Sequence, residues 1–303
     1  MAKILTGVPG MEGLLRCRDL NHVCRRRSDD PNYNLFINEI QAICTTSGLI
    51  IHTFEDLEAF VLSHMAPLFS KTYAIGPLNA LFRSRIGDDD FQSISSSGHL
   101  WEADRSCMTW LDSQPSKSVV YVSFGSLAMR TCDQLKELWH GLVNSGKPFL
   151  LVIRPDSIVG ADGDYDIPVE LKEGTKERGF LVDWAPQEDV LGHQAVGAYF
   201  THCGWNSTLE AIVAGVPMIC LSQYVDQHIT STLVTEVWKI GLDLKETCDR
   251  SAIEKVIRTL MDDKREEFIA SVGKIAKLAN KCVSQGGSSY KNLDKLIEDI
   301  RKI

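Results

Sequence analysis

The feature that most constrains this chain is the alternation of short apolar runs with amphipathic stretches between residues 118 and 221. Runs at 118–123, 149–153, 179–183, 197–201 and 216–221 have the length and the Val, Ile, Leu, Phe and Tyr content of strands. Between the first two, Thr131 with Gln134 spells a capping box and Gly146 a helix stop. Between the last two, Ser207 with Glu210 spells a second box and Gly215 a second stop. Strands joined one by one through helices lie parallel, because a parallel neighbour is reached only by a crossover. Such a sheet is covered on both faces, so the expected fold class is α/β with a Rossmann-like half.

Upstream the pattern is looser. Leu35, Ile37, Ile40, Ala42 and Ile43 give helical spacing over 35–44, followed by an expected strand at 49–53 and a helix over 57–69. Residues 83–98 gather Asp88, Asp89 and Asp90 with Ser93 and three further serines, a composition that reads as an unpacked loop. The stretch Asp-Ser-Gln-Pro-Ser-Lys at 112–117 reads as a linker, which puts a domain boundary between 112 and 113. Past the sheet, Ser251 with Glu254 opens a helix running to Met261, and a second helix covers 266–283. Gly286 and Gly287 separate a last helix over 292–300.

Composition removes several function classes. The chain has 303 residues, enough for two domains. With 40 acidic against 32 basic side chains, its net charge is −8, and its one dense basic run, Arg25 to Arg27, is followed at once by Asp29 and Asp30. No nucleic-acid partner is expected on that balance. Nine cysteines show no Cys-x-x-Cys pair, so reduced thiols are expected and no metal. No apolar run approaches the roughly 18 residues of a membrane span. The first residues lack the apolar core of a signal peptide before Pro9 and Gly10. A cytoplasmic monomer is the expectation.

In a doubly wound sheet, ligands sit beyond the carboxyl ends of the strands, and the loops at 124–126, 184–187 and 202–206 converge on that edge. The third carries Gly204, Asn206 and Ser207 at a helix start, where unpaired amides and the positive dipole end attract phosphate. Gly204 permits close approach, His202 offers a ring N–H, and the Ser207 and Ser126 hydroxyls reach the same oxygens. There is no Gly-x-x-x-x-Gly-Lys-Ser/Thr and no Gly-x-Gly-x-x-Gly after a strand, so neither a P-loop nor a dinucleotide fingerprint is present.

These residues fall in a block that resembles the 44-residue signature box of plant secondary-product UDP-glycosyltransferases. The block runs from Trp184 to Gln227 and includes Trp184-Ala185-Pro186-Gln187, His193, Thr201-His202-Cys203-Gly204-Trp205-Asn206-Ser207, Glu210, Gly215-Val216-Pro217 and Asp226-Gln227. The likeness extends from Gly7-Val8-Pro9-Gly10-Met11 through Thr53-Phe54-Glu55-Asp56-Leu57-Glu58 and Ile75-Gly76-Pro77-Leu78 to the C-terminal helices, and is nearest to terpenoid and iridoid glucosyltransferases. The resemblance implies a GT-B fold of two Rossmann-like domains. Residues 1–112 would be the remnant of an acceptor domain plus linker, 113–285 the donor domain, complete, and 286–303 a helix packing back on the first. It further implies that Trp184 stacks on uracil, that Ala185 binds it through the backbone, and that Gln187 and Glu210 hold the ribose hydroxyls. Ser126, His202, Asn206 and Ser207 would hold the diphosphate, with Gly204 beside it, and Trp205, Asp226 and Gln227 the sugar. Gln at position 227 is associated with glucose, so UDP-glucose is the implied co-substrate, with no metal or other cofactor. At Leu221-Ser222-Gln223-Tyr224 the sequence departs from the family's Trp-Pro and aromatic pair.

The implied activity is inverting transfer of glucose to a hydroxyl or carboxyl of a small lipophilic acceptor. In the family a His, oriented by an Asp, deprotonates the acceptor. Both would lie on segments before this chain begins, most of the acceptor domain would be missing, and neither His22 nor His64 matches the catalytic position. Two readings follow: a glucosyltransferase represented by part of its length, or a catalytically inactive UDP-sugar-binding module. Glu210 also has a bland role, as the cap partner of Ser207, which is compatible with ligand binding. His193 is expected to be structural, Cys203 a small buried thiol, and Trp101, Trp110, Trp139 and Trp238 packing residues.

Overall fold

A computed structural model describes residues 3–87, 101–126, 129–154, 157–159, 169–175, 178–224, 226–244 and 248–302. They form two compact units: residues 1–98, 224–232 and 274–303, and residues 99–223 with 233–273.

In the first unit, Pro31–Ile43 (α1) starts behind Asp30, whose side chain accepts from the Asn32 amide, with proline in the first turn. Leu49–Ile51 (β1) leads through Glu55–Met65 (α2) to Thr72–Ala74 (β2), and β1 and β2 pair in parallel with Leu49 opposite Thr72. The helix expected over 57–69 therefore begins two residues earlier and stops at Met65, where Ala66–Leu68 tightens into a 3-10 turn around Pro67. The loop expected from residue 83 is corrected too. Leu78–Ile86 (α3) continues through it, because Leu81 is buried and Arg85 donates to the Tyr290 carbonyl (2.8 Å) and to Asp294 (2.7 Å). Residues 88–98 lie outside the described residues.

The second unit opens with Ser106–Asp112 (α4). It is built on six parallel strands: Val119–Ser123 (β3), Phe149–Val152 (β5), Gly179–Val182 (β7), Val196–Thr201 (β8), Met218–Cys220 (β9) and Gly241–Asp243 (β10). Arg130–Thr131 (β4) and Ile158–Val159 (β6) form a separate parallel pair. The strand order is β10-β9-β8-β3-β5-β7. The chain moves outward from β3 to β7, returns to the middle, and moves outward again from β8 to β10. The reversal lies between β3 and β8, the point at which open α/β sheets bind ligands.

The helices between strands follow their local signals. Cys132–Ser145 (α5) carries the expected capping box: the Gln134 amide donates to Thr131 Oγ1 (3.2 Å) and the Thr131 amide to Gln134 Oε1 (3.0 Å). Gly146 closes it in the left-handed conformation, as Gly215 closes Trp205–Ala214 (α8). Val169–Thr175 (α6), Gln187–Gly192 (α7) and Gln227–Thr232 (α9) complete the crossovers, α9 being assigned to the first unit. Arg250–Arg258 (α10) is capped by Asp249, not Ser251, because the Asp249 side chain accepts from the Ala252 amide. A π turn over Thr259–Asp263 ends it before Met261.

On one face of the sheet, Val120 and Val122, Phe149 and Leu151, Ala198 and Phe200, and Ile219 meet Leu135, Leu138 and Leu142 of α5 and Ile253 and Ile257 of α10. Each of these aliphatic or aromatic side chains is buried and contributes roughly 1.5–3 kcal/mol for its larger members. The opposite face carries Tyr121 and Tyr199, which are in register and stack with centroids 5.0 Å apart.

Arg265–Val283 (α11) begins in the second unit and ends in the first, and Ser288–Ile300 (α12) follows Gly287, four residues before the expected start. Those four residues are helical because Ser289 is buried there, donating to the Gly76 carbonyl at 2.6 Å. α12 is further tied to β2 and β1 by Tyr73, whose hydroxyl donates to Asp299 (2.6 Å), and by Lys71, 3.0 Å from the same carboxylate. Among the described residues, no helix is long and apolar enough to cross a membrane.

Candidate functional site

The carboxyl ends of β3 and β8 are neighbours, so the loops at 124–126 and 202–206 leave the sheet side by side. Two glycines shape their contact. A Cβ on Gly125 would lie 2.7 Å from the His202 ring, and one on Gly204 would lie 2.5 Å from His202 Nε2. The imidazole thus occupies space that exists only because both positions lack a side chain. Gly125 also sits at φ +73°, a conformation that other residues adopt at a cost of about 1–2 kcal/mol. Ser126 follows it, half-buried on the same loop.

The 202–206 loop enters α8 with Gly204 as N-cap and no side chain capping the first turn. The sequence expectation that Ser207 caps this helix with Glu210 is corrected here. The helix starts three residues earlier, Ser207 is a buried residue of its first turn, and the first intrahelical bond runs from the Thr208 amide to the Gly204 carbonyl (3.0 Å). The amides of Asn206 and Ser207 consequently have no acceptor within the helix, and Asn206 is exposed. Trp205 is half-buried and tilts against Trp238, with centroids 6.1 Å apart, so Trp238 supports the block even though it lies outside it.

The third loop, 184–187, arrives from the far edge of the sheet, because β7 is the last strand on its side. The Trp184 carbonyl accepts from the Asp104 amide at 2.9 Å, and Ala185 is buried. Gln187 opens α7 and reaches back to the middle of the sheet. Its Nε2 donates to Glu210 (2.6 Å) and to Ser207 Oγ (2.9 Å), and its Oε1 accepts from Tyr199 (2.9 Å) and Tyr121 (3.2 Å). Both hydrogens and both lone pairs of the amide are used, which fixes its orientation. Glu210 is held against this amide in a poorly solvated place. Burial pushes its carboxyl up to about 7, the Gln187 hydrogen bond offsetting part of the effect and the Glu188 charge adding to it.

The structure therefore brings together Ser126, Gln187, His202, Gly204, Trp205, Asn206, Ser207 and Glu210, with Trp184 and Ala185 on the loop that ends at Gln187. Asp226 and Gln227 belong to the first unit, where Asp226 is exposed and Gln227 is buried, its Oε1 accepting from the Tyr224 amide at 3.3 Å. Sequence reasoning passed over Tyr121 and Tyr199. The available signal was a tyrosine at equivalent places in two apolar strands, where a purely aliphatic residue would pack without needing a partner.

His193 is structural: its ring bridges Asp112 (3.1 Å) and the Ala195 amide (3.2 Å). Cys203 is buried at φ +64°, and burial raises its thiol well above the ordinary range, which keeps it protonated. Trp110 packs on Phe180 (5.7 Å) and Trp139 donates to Thr175 (2.9 Å), whereas Trp101 stays partly exposed. His64 is exposed and bonded to the Phe60 carbonyl (2.9 Å), and the His22 side chain lies outside the described residues. Among the described residues, no group of three or more His, Cys, Asp or Glu could hold a metal ion.

Comparison with known proteins identifies the family and the fold. Residues 99–277 match the family model for UDP-glucoronosyl and UDP-glucosyl transferase. The chain is 50% identical over 304 residues to 7-deoxyloganetic acid glucosyltransferase of Catharanthus roseus, covering 100% of this chain and 63% of that protein. It is 46% identical to mogroside I-A1 synthase of Siraitia grosvenorii, covering 93% of this chain and 55% of that one. Among solved structures, Os79 from O. sativa in complex with UDP superposes with a TM-score of 0.84 at 32% identity, covering 96% of this chain and 64% of that one. Phytolacca americana UGT2 complexed with UDP-2fluoro-glucose and pterostilbene gives 0.81 at 31%, covering 99% and 64%. The fold is α/β of the GT-B type, and the chain spans about 63% of the length of the first of these relatives. On the family model, which covers more than half of its residues, the chain belongs to the UDP-glucoronosyl and UDP-glucosyl transferase family.

Proposed function

We propose that this chain provides the nucleotide-sugar half of an inverting glucosyltransferase that moves glucose from UDP-glucose to a hydroxyl or carboxyl of a small lipophilic plant metabolite, of terpenoid, iridoid or phenolic type. The observation that carries the reading is the Gln187–Glu210 contact at 2.6 Å on the carboxyl edge of the sheet, locked by Tyr121, Tyr199 and Ser207. A carboxyl group held in one orientation by the Gln187 amide is a receptor for a vicinal diol, whose hydroxyls donate to its oxygens. The ribose hydroxyls are assigned to this pair, and the half-buried indole of Trp184, next to Ala185 and three residues from Gln187, to the face of uracil.

The diphosphate is assigned to the uncapped start of α8, with the amides of Asn206 and Ser207, the His202 ring and the Ser126 hydroxyl around it. Trp205 is assigned to the transferred sugar. The relatives support the donor class, since two superposing structures carry UDP or a UDP-sugar, and the acceptor class, since the relative with 50% identity is named for an iridoid acid. The sugar role of Asp226 and Gln227 is supported by the resemblance alone, and Gln227→His, assayed with UDP-glucose and UDP-galactose, tests it on its own.

Calorimetric titration of the purified chain with UDP and UDP-glucose, beside Glu210→Ala, tests the reading. Saturable binding by the wild-type chain that is lost in the variant is the expected result. A folded wild-type chain that binds neither ligand overturns the assignment.

A further inference from the structure

The second unit holds a cationic cluster that the donor assignment leaves unused. Arg130 opens β4, its amide donates to the Ser157 carbonyl at 2.8 Å, and β4 pairs with β6 so that Arg130 stands opposite Ile158. Its backbone is thus fixed on both sides. Its guanidinium lies 3.7 Å above the Phe124 ring. The residue is only 8% exposed, and its Nε and Nη2 are buried with no hydrogen-bond acceptor. Burial draws the group down to about 10, so it is still charged at neutral pH.

A second guanidinium borders the same space. Arg154, 5% exposed, follows β5, and the turn that holds it is closed by the Ser157 amide and hydroxyl, which donate to the Arg154 carbonyl at 3.0 and 2.7 Å. Arg130, Arg154, Phe124 and Gly125 line an open recess, and no acidic side chain is among its described lining residues. Buried cations are ordinarily paired, and a charged guanidinium bordering a recess with no acidic side chain among its described lining residues is suited to meet planar or tetrahedral oxygens.

We infer that this recess binds the anionic oxygens of a small molecule, a carboxylate or a phosphate, between Arg130 and Arg154 at the carboxyl ends of β3 and β5. The site adjoins the proposed donor site through Gly125 and uses none of Gln187, Ser207 or Glu210, so the two assignments fail independently.

The test is titration of the whole chain with inorganic phosphate and, separately, with benzoate, in the absence and presence of saturating UDP. Calorimetry and the arginine side-chain N–H resonances are the readouts. Saturable binding that shifts a buried arginine Nε–H, survives UDP, and weakens by about tenfold or more in Arg130→Met is the expected result, because the variant keeps the apolar stem over Phe124 and loses the charge. Tighter phosphate identifies a phosphoryl group as the occupant, and tighter benzoate a carboxylate; either supports the recess. Three outcomes overturn it: no shift of any arginine resonance in the wild-type chain, unchanged affinity in a folded Arg130→Met, or loss of the anion on adding UDP. The last would make it part of the diphosphate site. The wild-type resonances decide the matter even if the variant fails to fold.

Discussion

Gly204→Ala isolates the positioning of His202 from the stability of the fold. Gly204 sits at φ −61° and ψ 143°, which alanine adopts without strain. As an N-cap, alanine is worse than glycine by about 0.5–1 kcal/mol, and it returns about 0.4–1 kcal/mol by restricting the unfolded chain, so the melting temperature should barely move. The new methyl group would lie 2.5 Å from His202 Nε2, well inside contact distance, and the ring must give way by most of an ångström. If the ring donates to a phosphate oxygen, loss of that charge-assisted bond costs about 1.5–3 kcal/mol. That is a roughly 10- to 100-fold weaker Kd for UDP. Calorimetric titration with UDP, run beside a melting curve, is the assay. Gly125→Ala is the informative companion: it crowds the same ring and also carries about 1–2 kcal/mol of backbone strain at φ +73°, so it should lose both affinity and melting temperature. A Gly204→Ala chain that melts like wild type and binds UDP within about twofold of it, about 0.4 kcal/mol, would refute the role given to His202.

Three further outcomes are expected. The Glu210 carboxyl, pushed up to about 7 by burial, favours the folded state below its ordinary pKa of 4.5 and gives up that contribution as pH rises through 7, so Glu210→Gln should gain in relative melting temperature between about pH 5 and about pH 8. An equal difference at both ends would contradict the buried, protonated carboxyl. Asp299 is the opposite case: hydrogen bonds from Tyr73 and Lys71 hold its carboxyl down to about 2, so its contribution is present above 3.8 and fades as pH falls toward 2. The destabilisation by Asp299→Asn should accordingly be largest near neutrality and shrink on acidification. Finally, Thr131→Ala removes the bond from the Gln134 amide to Thr131 Oγ1 in the α5 capping box, leaving the backbone bond to Gln134 Oε1, and should cost about 1 kcal/mol in denaturant unfolding while leaving UDP affinity unchanged.

Much of the second unit was legible in the sequence because its signals are local. A strand shows as a run of apolar residues, a helix start as Thr131 with Gln134, a helix stop as Gly146 or Gly215, and each of these was found where the residues put it. The same locality explains the errors. Ser207 with Glu210 satisfies the capping-box pattern, yet α8 begins at Trp205 and Glu210 is bonded to Gln187, 23 positions away. Short elements such as β2, β10 and α4 carry too few residues for periodicity to show, and they form because β1, β9 and β7 offer them partners.

Residue types and their spacing along the chain determined the fold class, the family resemblance and the three loops of the candidate site. Only the tertiary structure decided how those loops meet. Placing β8 beside β3 reverses the strand order and sets His202 against Gly125; the crossover from the edge strand β7 carries Gln187 back between Tyr121, Tyr199, Ser207 and Glu210. The buried guanidinium of Arg130, whose Nε and Nη2 have no acceptor among the described residues, is likewise invisible in the sequence. Periodicity and caps are short-range effects of backbone geometry, whereas strand order, burial and the pKa of a carboxyl depend on which distant segments exclude water from a given point.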